Sequence, residues 1–301
     1  MPPPLLQQIL SGDRRALARA ITIVENELEG APELLASLDL ENAAPLVGIT
    51  GPPGAGKSTL ISMLIGHLTS QGKKVAVIAV DPTSPFNFGS LLGDRLRMSE
   101  HFLNPNVFIR SLATRGSLGG LSAKAIEVSD LVRAAGFDFV IIETVGVGQS
   151  EVEIAGIADT TVLVLVPESG DDVQALKSGV MEIADIFVVN KSDRPGANTF
   201  LKNLGQLLHA RPGSAWIPKV VKTVASRNEG AESLIEAIGQ HHAEGRGNER
   251  KALLYADKAW RLIQQARMKN VNRNALLSEI RESLDRGNFQ LYRFVQGKTE
   301  Q

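Results

Sequence analysis

No cysteine occurs among the 301 residues, which excludes disulfides and every thiolate-ligated metal site. Histidine is scarce too. The five present show no close pairing with carboxylates at metal-ligand spacing, and His241-His242 reads as an exposed pair on a polar helix end. Charge of one sign is also missing: 32 basic side chains stand against 33 acidic ones, a net charge of −1, so neither nucleic acid nor an anionic membrane is an expected partner. No apolar run approaches the roughly twenty residues that span a bilayer. Met1-Pro2-Pro3-Pro4-Leu5-Leu6 lacks a charged region followed by a long apolar stretch, and the expected location is the cytoplasm.

What is present is enough apolar material, 43% of the chain, for one sizeable core and a smaller appendage. At its centre stands Leu46-Val47-Gly48-Ile49-Thr50-Gly51-Pro52-Pro53-Gly54-Ala55-Gly56-Lys57-Ser58-Thr59-Leu60. The run Leu46 to Ile49 fits a buried strand, Gly51 to Ser58 has the G-x-x-x-x-G-K-[ST] spacing, and Leu60, Ile61, Leu64, Ile65 and Leu68 recur at helical period. Strand, glycine loop and helix come in the order a phosphate grip requires. Backbone N–H groups must converge on a phosphate without Cβ atoms in the way, and a helix N-terminus adds open donors and a positive dipole end. Gly51, Pro53, Gly54, Ala55, Gly56, Lys57, Ser58 and Thr59 are therefore the expected nucleotide contacts. Lys57 suits the β- and γ-phosphates, and the Ser58 hydroxyl suits Mg²⁺.

Ahead of this loop the chain reads as helical. Leu5, Leu6, Ile9 and Leu10 share one face, Ser11-Gly12-Asp13 breaks or caps, Ala16, Leu17, Ala20, Ile21 and Val24 continue, and Ala31 to Leu40 allows a further helix. Behind it, Lys74 to Val80 forms a second apolar strand suited to a sheet covered on both faces. Asp81 ends that strand, where an acid either caps a turn or approaches a metal. Pro82 to Arg97 reads as a loop that folds over the nucleotide. Within it Asp94 can hold Mg²⁺ through water, and Arg95 and Arg97 either reach phosphate or form surface ion pairs. Val107 to Arg110 is a third strand, and a Gly116 to Gly120 turn precedes a helix from Leu121 to Ala135.

A second chemical centre follows in Phe137 to Glu151. A buried strand delivers Glu143 at its carboxyl end, where an acid orders the water shell of Mg²⁺, and Gly146 lies where its N–H can sense a γ-phosphate. Gln149 either orients attacking water, caps a helix or meets a partner. No residue stands out as the catalytic base, so slow intrinsic hydrolysis that awaits a partner is expected. After a fifth strand, Thr160 to Val166, and a loop over Pro167 to Lys177 comes Asn190-Lys191-Ser192-Asp193 behind the strand Ile186 to Val189. The Asp193 carboxylate can accept from both guanine N1–H and N2–H, which adenine cannot supply. Asn190 braces the loop and Lys191 lies along the base. Ala225 and Ser226, after a last strand from Ala215 to Thr223, hold the place of a backbone N–H to guanine O6. GTP or GDP with Mg²⁺ is the expected ligand set. A helix from Gly230 to Ile238 and a polar linker, His242 to Arg250, lead to two amphipathic helices, Ala252 to Met268 and Asn274 to Asp285. Their apolar residues need another surface, a second subunit or the main domain.

Asp81-Pro82-x-Ser84-Pro85, Leu92-Gly93-Asp94-Arg95-x-Arg97-Met98, Glu143-Thr144-Val145-Gly146-Val147-Gly148-Gln149-Ser150-Glu151 and Ala184-Asp185 to Asp193 together resemble the methylmalonyl-CoA mutase-associated GTPases. These are chaperones of adenosylcobalamin-dependent mutases, once described as arginine/ornithine transport ATPases. The resemblance runs from about Arg15 to about Ile238, and Glu143 to Glu151 is its most specific part. It implies Lys57 and Ser58 at phosphate and Mg²⁺, Asp94 and Glu143 around the metal, and Asn190, Lys191 and Asp193 at guanine. It also implies a partner-responsive switch from Gly170 to Lys177. Phe86-Asn87-Phe88-Gly89 departs from the small, Ser/Gly-rich stretch usual there, and the tail after Arg250 departs from the family's dimerisation arm.

The expected fold is thus α/β, a three-layer P-loop NTPase with a mostly parallel sheet flanked by N- and C-terminal helices. Residues 1–44 form a helical extension, 45–245 the GTPase domain and 246–301 a dimerisation arm. The expected function is a Mg²⁺-dependent GTPase that gates cofactor loading of an adenosylcobalamin-dependent acyl-CoA mutase and protects it. Alternatives are a metal-inserting GTPase, which the missing cysteines disfavour, and an ATP-driven transport or kinase component.

Overall fold

The computed structural model describes residues 4–81, 98–113, 123–144, 153–170, 180–209, 216–244, 248–268 and 271–299. Seven strands form one sheet: β1 (Leu46–Thr50), β2 (Val75–Asp81), β3 (Val107–Ala113), β4 (Phe139–Thr144), β5 (Thr160–Leu165), β6 (Ile186–Val189) and β7 (Lys219–Lys222). Every pairing is parallel, in the order β3-β2-β4-β1-β5-β6-β7. Ahead of the sheet lie α1 (Pro4–Leu10), α2 (Arg14–Glu25) and α3 (Ala31–Ala36). Between strands come α4 (Lys57–Ser70), α5 (Ala123–Arg133), α6 (Val180–Ile183) and α7 (Ala197–His209). Then follow α8 (Ala231–Glu244), α9 (Asn248–Met268), α10 (Arg273–Asp285) and α11 (Leu291–Thr299).

The layering follows from burial on both sheet faces. All five residues of β1 and all six of β5 are buried, which accounts for the apolar runs Leu46 to Ile49 and Val162 to Leu165. Val47, Ile49, Val77, Ile141, Val162 and Val188 pack with Leu60, Leu64 and Ile65 of α4 and with Leu234 and Ile238 of α8. On the opposite face Leu163, Leu165, Phe187 and Val189 meet Phe200, Leu204 and Leu208 of α7. Residues 1–258 and 259–301 form two compact units. In the first, Asp13 caps α2 by accepting from the N–H groups of Arg15 at 2.8 Å and Ala16 at 3.1 Å. The buried face Ala16, Leu17, Ala20, Ile21 and Val24 follows.

Strand order matters for chemistry. β4 lies between β1 and β2 and pairs with both, with Glu143 in register with Ile49 on one side and Ala79 on the other. The strand that carries Glu143 therefore runs directly beside the strand that feeds the glycine loop. β1 itself sits between β4 and β5, where successive connections leave to opposite sides of the sheet, the place where such sheets bind ligands.

A buried ionic chain underlies the start of β1. Lys258 Nζ lies 3.0 Å from Asp130, Arg133 bridges Asp130 at 3.3 Å and Asp159 at 2.8 Å, and Arg133 Nε donates to the Ala44 carbonyl at 2.9 Å. Asp159 also accepts from the Leu46 N–H at 2.8 Å. Each acid thus meets more than one donor, the condition under which buried charge is tolerated.

Several sequence expectations need correction. His241 is not exposed: it is 1% accessible, 2.8 Å from Thr160 Oγ1, 3.3 Å from Asp185, and set edge-on to Trp216. Ala237, Ile238 and His241 extend the buried face of α8 past the expected end, so the helix runs to Glu244. With α9 starting at Asn248, most of the expected linker from His242 to Arg250 is helical. α3 stops at Ala36 rather than Leu40, and β7 is confined to four residues. In the second unit α10, capped by Asn272, is followed by α11, which the apolar pattern did not single out. Lys298 pairs there with Glu279 at 2.7 Å.

Candidate functional site

The loop after β1 takes its shape from two glycines. A Cβ on Gly51 would sit 2.2 Å from the Val164 carbonyl oxygen of β5, and one on Gly56 would sit 2.5 Å from Asn190 Nδ2. Both also have positive φ, 140° and 89°, a region L side chains avoid. The loop is thereby pressed against β5 at its start and against Asn190 at its end. Gly56 precedes α4, and the first helical bond runs from the Leu60 N–H to the Gly56 carbonyl at 2.9 Å. The N–H groups of Ser58 and Thr59 come before that bond, at the N-terminus of α4.

A cavity of about 480 Å³ opens here, bounded by Pro53, Gly54, Gly56, Lys57, Ser58, Thr59, Ala79, Val80, Glu143, Thr144 and Lys191. Its floor is polar although buried. Ser58 Oγ donates to Glu143 Oε1 at 2.8 Å, and both residues are less than a tenth exposed. Lys57 Nζ donates to the carbonyls of Gly51 at 2.8 Å and Pro52 at 3.2 Å. Beside them Thr144 Oγ1 donates to Thr50 Oγ1 at 3.0 Å, tying the ends of β4 and β1.

Asn190 joins three segments. Its Nδ2 donates to the Ala55 carbonyl at 2.9 Å, while its Oδ1 accepts from Thr223 Oγ1 at 3.1 Å and the Ala225 N–H at 3.2 Å. One buried amide thus fixes the glycine loop, the end of β6 and the turn after β7. Lys191, at φ 54°, donates to the Gly54 carbonyl at 2.8 Å and lies along the loop's outer side. Asp193 is a third exposed at its side chain and pairs with Arg227 at 3.1 Å. Arg194 beside it bonds Glu168 and holds that carboxyl below the usual range, the charged hydrogen bond being the main cause.

The expected site residues of the glycine loop, Gly51, Pro53, Gly54, Ala55, Gly56, Lys57, Ser58 and Thr59, thus converge with Glu143, Asn190 and Lys191. Ala225 is buried against Asn190, and Ser226 is exposed on the same turn. Asp81 ends β2, in register with Ala113; its side chain lies outside the described residues. So do Asp94, Gly146 and Gln149, as do Arg95, Arg97, most of the Gly170 to Lys177 stretch and the Gly116 to Gly120 turn. Thr223 and Arg227 were not anticipated as contacts, although both lie within two residues of Ala225 and Ser226, which were.

A hydroxyl and a carboxylate oxygen in one buried floor are hard donors that fit Mg²⁺. That ion takes one or two protein oxygens and completes its shell with water and phosphate. Among the described residues no three His, Cys, Asp or Glu side chains cluster as a metal cage. No described helix is long and apolar enough to cross a membrane.

Comparison with known proteins bears on this geometry. A family model described as methylmalonyl Co-A mutase-associated GTPase MeaB matches residues 17–279. A protein of Pyrococcus abyssi named as a GTPase is 46% identical over 291 residues, covering 95% of this chain and 88% of its own. One from Mycobacterium tuberculosis, also named as a GTPase, is 40% identical over 94% of this chain and 88% of its own. The mouse mitochondrial methylmalonic aciduria type A homolog is 38% identical over 85% of this chain and 68% of its own. Among solved structures, that of an LAO/AO transport system kinase superposes with a TM-score of 0.70 at 26% identity, over 98% of this chain and 95% of the other.

Proposed function

The chain belongs to the methylmalonyl-CoA mutase-associated GTPase family, and from that membership we propose that it is a Mg²⁺-dependent GTPase serving an adenosylcobalamin-dependent acyl-CoA mutase. In this reading it gates cofactor loading of the mutase and protects it. The observation that carries the reading is the Ser58–Glu143 pair on a cavity floor that Asn190 ties to the Asp193 loop. One set of contacts thereby connects the phosphate end of a nucleotide to its base end.

The division of labour follows from the chemistry of each group. Open N–H groups at the start of α4 receive β-phosphate oxygens, and Lys57 exchanges its loop carbonyls for phosphate oxygens. Ser58 and Glu143 would hold Mg²⁺, which neutralises charge between the β- and γ-phosphates when bound. Asp193 accepts from the guanine edge, Ser226 offers an N–H to O6 while the N–H of Ala225, the other expected donor, already donates to Asn190 Oδ1, and Lys191 covers the base. Asp81, Asp94, Gly146 and Gln149 keep the roles given by their place in the sequence, around the metal, the γ-phosphate and the attacking water. The arm from residue 246 onward is assigned to a homodimer, residues 1–44 to a helical extension of the 45–245 GTPase domain, and the cytoplasm is the proposed location.

The test is binding and turnover with a purified adenosylcobalamin-dependent acyl-CoA mutase. Tighter association in a non-hydrolysable GTP analogue than in GDP, with faster GTP hydrolysis in the complex, is expected. Absence of nucleotide-dependent binding together with absence of any mutual rate effect overturns the proposal. An ATP-driven role, suggested by the name of the transport system kinase, predicts ATP turnover at least equal to GTP turnover. Nothing in the donor set favours metal insertion: the chain has no cysteine.

A further inference from the structure

We propose that Arg227 is a positioning residue for base selection, holding the Asp193 carboxylate in the orientation that reads guanine. This rests on the reading of Asp193 as the guanine acceptor. The contact is one-sided: Arg227 Nη2 lies 3.1 Å from Asp193 Oδ2. A carboxylate oxygen has more than one acceptor direction, so Oδ2 can keep the guanidinium and still accept from the base, while Oδ1 takes the second donor. Guanine needs both oxygens in one plane, for N1–H and N2–H. A carboxylate that rotates freely must be ordered when the base arrives, whereas one already held does not incur that entropic cost on binding.

The turn that carries Arg227 is suited to this task. It is the 3₁₀ turn Ala225–Arg227, whose first N–H is bound by Asn190 Oδ1 at 3.2 Å. Arg227 N–H donates to the Val224 carbonyl at 2.9 Å, and Val224 and Glu229 exchange two backbone bonds of 3.1 and 3.3 Å. The backbone beneath Arg227 is thus closed on itself and tied to the same amide that braces the glycine loop. Asp193, for its part, follows Ser192, whose N–H donates to the Thr223 carbonyl at 3.1 Å. Both partners stand on segments fixed to the end of β7, so their separation is set by the sheet. Arg227 is well exposed. It is distinct from the residues that touch phosphate or metal.

Inosine and xanthosine triphosphates test the idea beside GTP. Inosine lacks the 2-amino group and asks for one carboxylate oxygen, so its binding depends less on the plane. Arg227→Ala should weaken GTP and GDP binding roughly three- to fivefold, the range of an exposed ion pair. ITP should lose less, narrowing the GTP-to-ITP ratio, and Arg227→Lys should restore most of that ratio. Asp193→Asn should turn preference toward xanthosine triphosphate, and in that background Arg227→Ala should have no further effect, since the charged partner is gone. An unchanged GTP-to-ITP ratio in Arg227→Ala, or tighter GTP binding as expected of a competitor for the carboxylate, overturns the positioning role. Failure of Asp193→Asn to shift preference toward xanthine is a different failure, and it removes the reading of Asp193 itself.

Discussion

At the scale of single residues, Lys57 holds the loop and, in the proposed function, also acts on phosphate. Its ammonium binds two loop carbonyls and is nearly buried, so its methylene stem packs while its charge remains near the cavity. Lys57→Ala is expected to lower GTP turnover about a hundredfold or more while shifting the melting temperature by only a few degrees. A retained rate would show that the phosphate loop is assigned wrongly. Glu143→Gln keeps the volume and an oxygen for the Ser58 hydroxyl but removes the charge. It should raise the Mg²⁺ concentration for half-maximal turnover about tenfold, and an unmoved Mg²⁺ titration would place the carboxylate outside the metal site. That Lys57, Ser58 and Asn190 come together around the glycine loop was legible in the sequence because each belongs to a short motif of fixed spacing. Thr223 and Arg227 were not, because their partners, Asn190 and Asp193, lie about thirty residues away in sequence, behind the neighbouring strand β6. His241 was misread for the same reason: its polarity suggests a surface, while Thr160 and Asp185, both remote in sequence, satisfy it in the core.

At the scale of elements, the apolar runs announced the strands, and parallel pairing followed from helices between them. The insertion of β4 between β1 and β2 did not follow, since a crossover fixes handedness and direction but not how many strands it skips. What aligns the neighbours is visible at the start of β2, where the Lys74 N–H donates to Asp138 at 2.8 Å and Lys73 approaches the same carboxyl at 3.3 Å. The backbone hydrogen bond is the main reason that this carboxyl titrates below its usual value, with the lysine adding to it and desolvation opposing it. A folded value below the unfolded one means stability that is present above the unfolded pKa of about 3.9 and lost as pH falls through the folded value. The side chain is 42% exposed, so the amount is modest, from a few tenths to about 1 kcal/mol. Urea unfolding of Asp138→Asn should therefore show lower stability at pH 6 and a shallower acid limb below about pH 4. An acid limb that matches the unaltered protein would assign the acid sensitivity to other carboxylates.

At the scale of the whole chain, near-neutral charge gives no long-range attraction to a generic polyanion. Trp260, Ile263, Met268, Leu277, Leu284 and Tyr292 of the second unit are all exposed, the residues that a second subunit would cover in the proposed homodimer. Where to cut the chain to test a homodimer is decided by Lys258. The helical pattern alone suggests removing everything after Arg250, but that deletes Lys258, a buried cation 3.0 Å from Asp130 in the chain of charges beneath β1. Removing one member of a buried ionic set leaves the remainder undercompensated, at a cost of about 3 kcal/mol when a partner is lost outright and less here, because Arg133 still faces Asp130. A chain ending at Lys258 should accordingly retain GTP turnover and run as a monomer by light scattering. A chain ending at Arg250 should also be monomeric but unfold at lower urea. A dimer that persists in the Lys258-terminated chain would move the interface to the first unit, and equal stability of the two truncations would mean that Lys258 contributes nothing through Asp130.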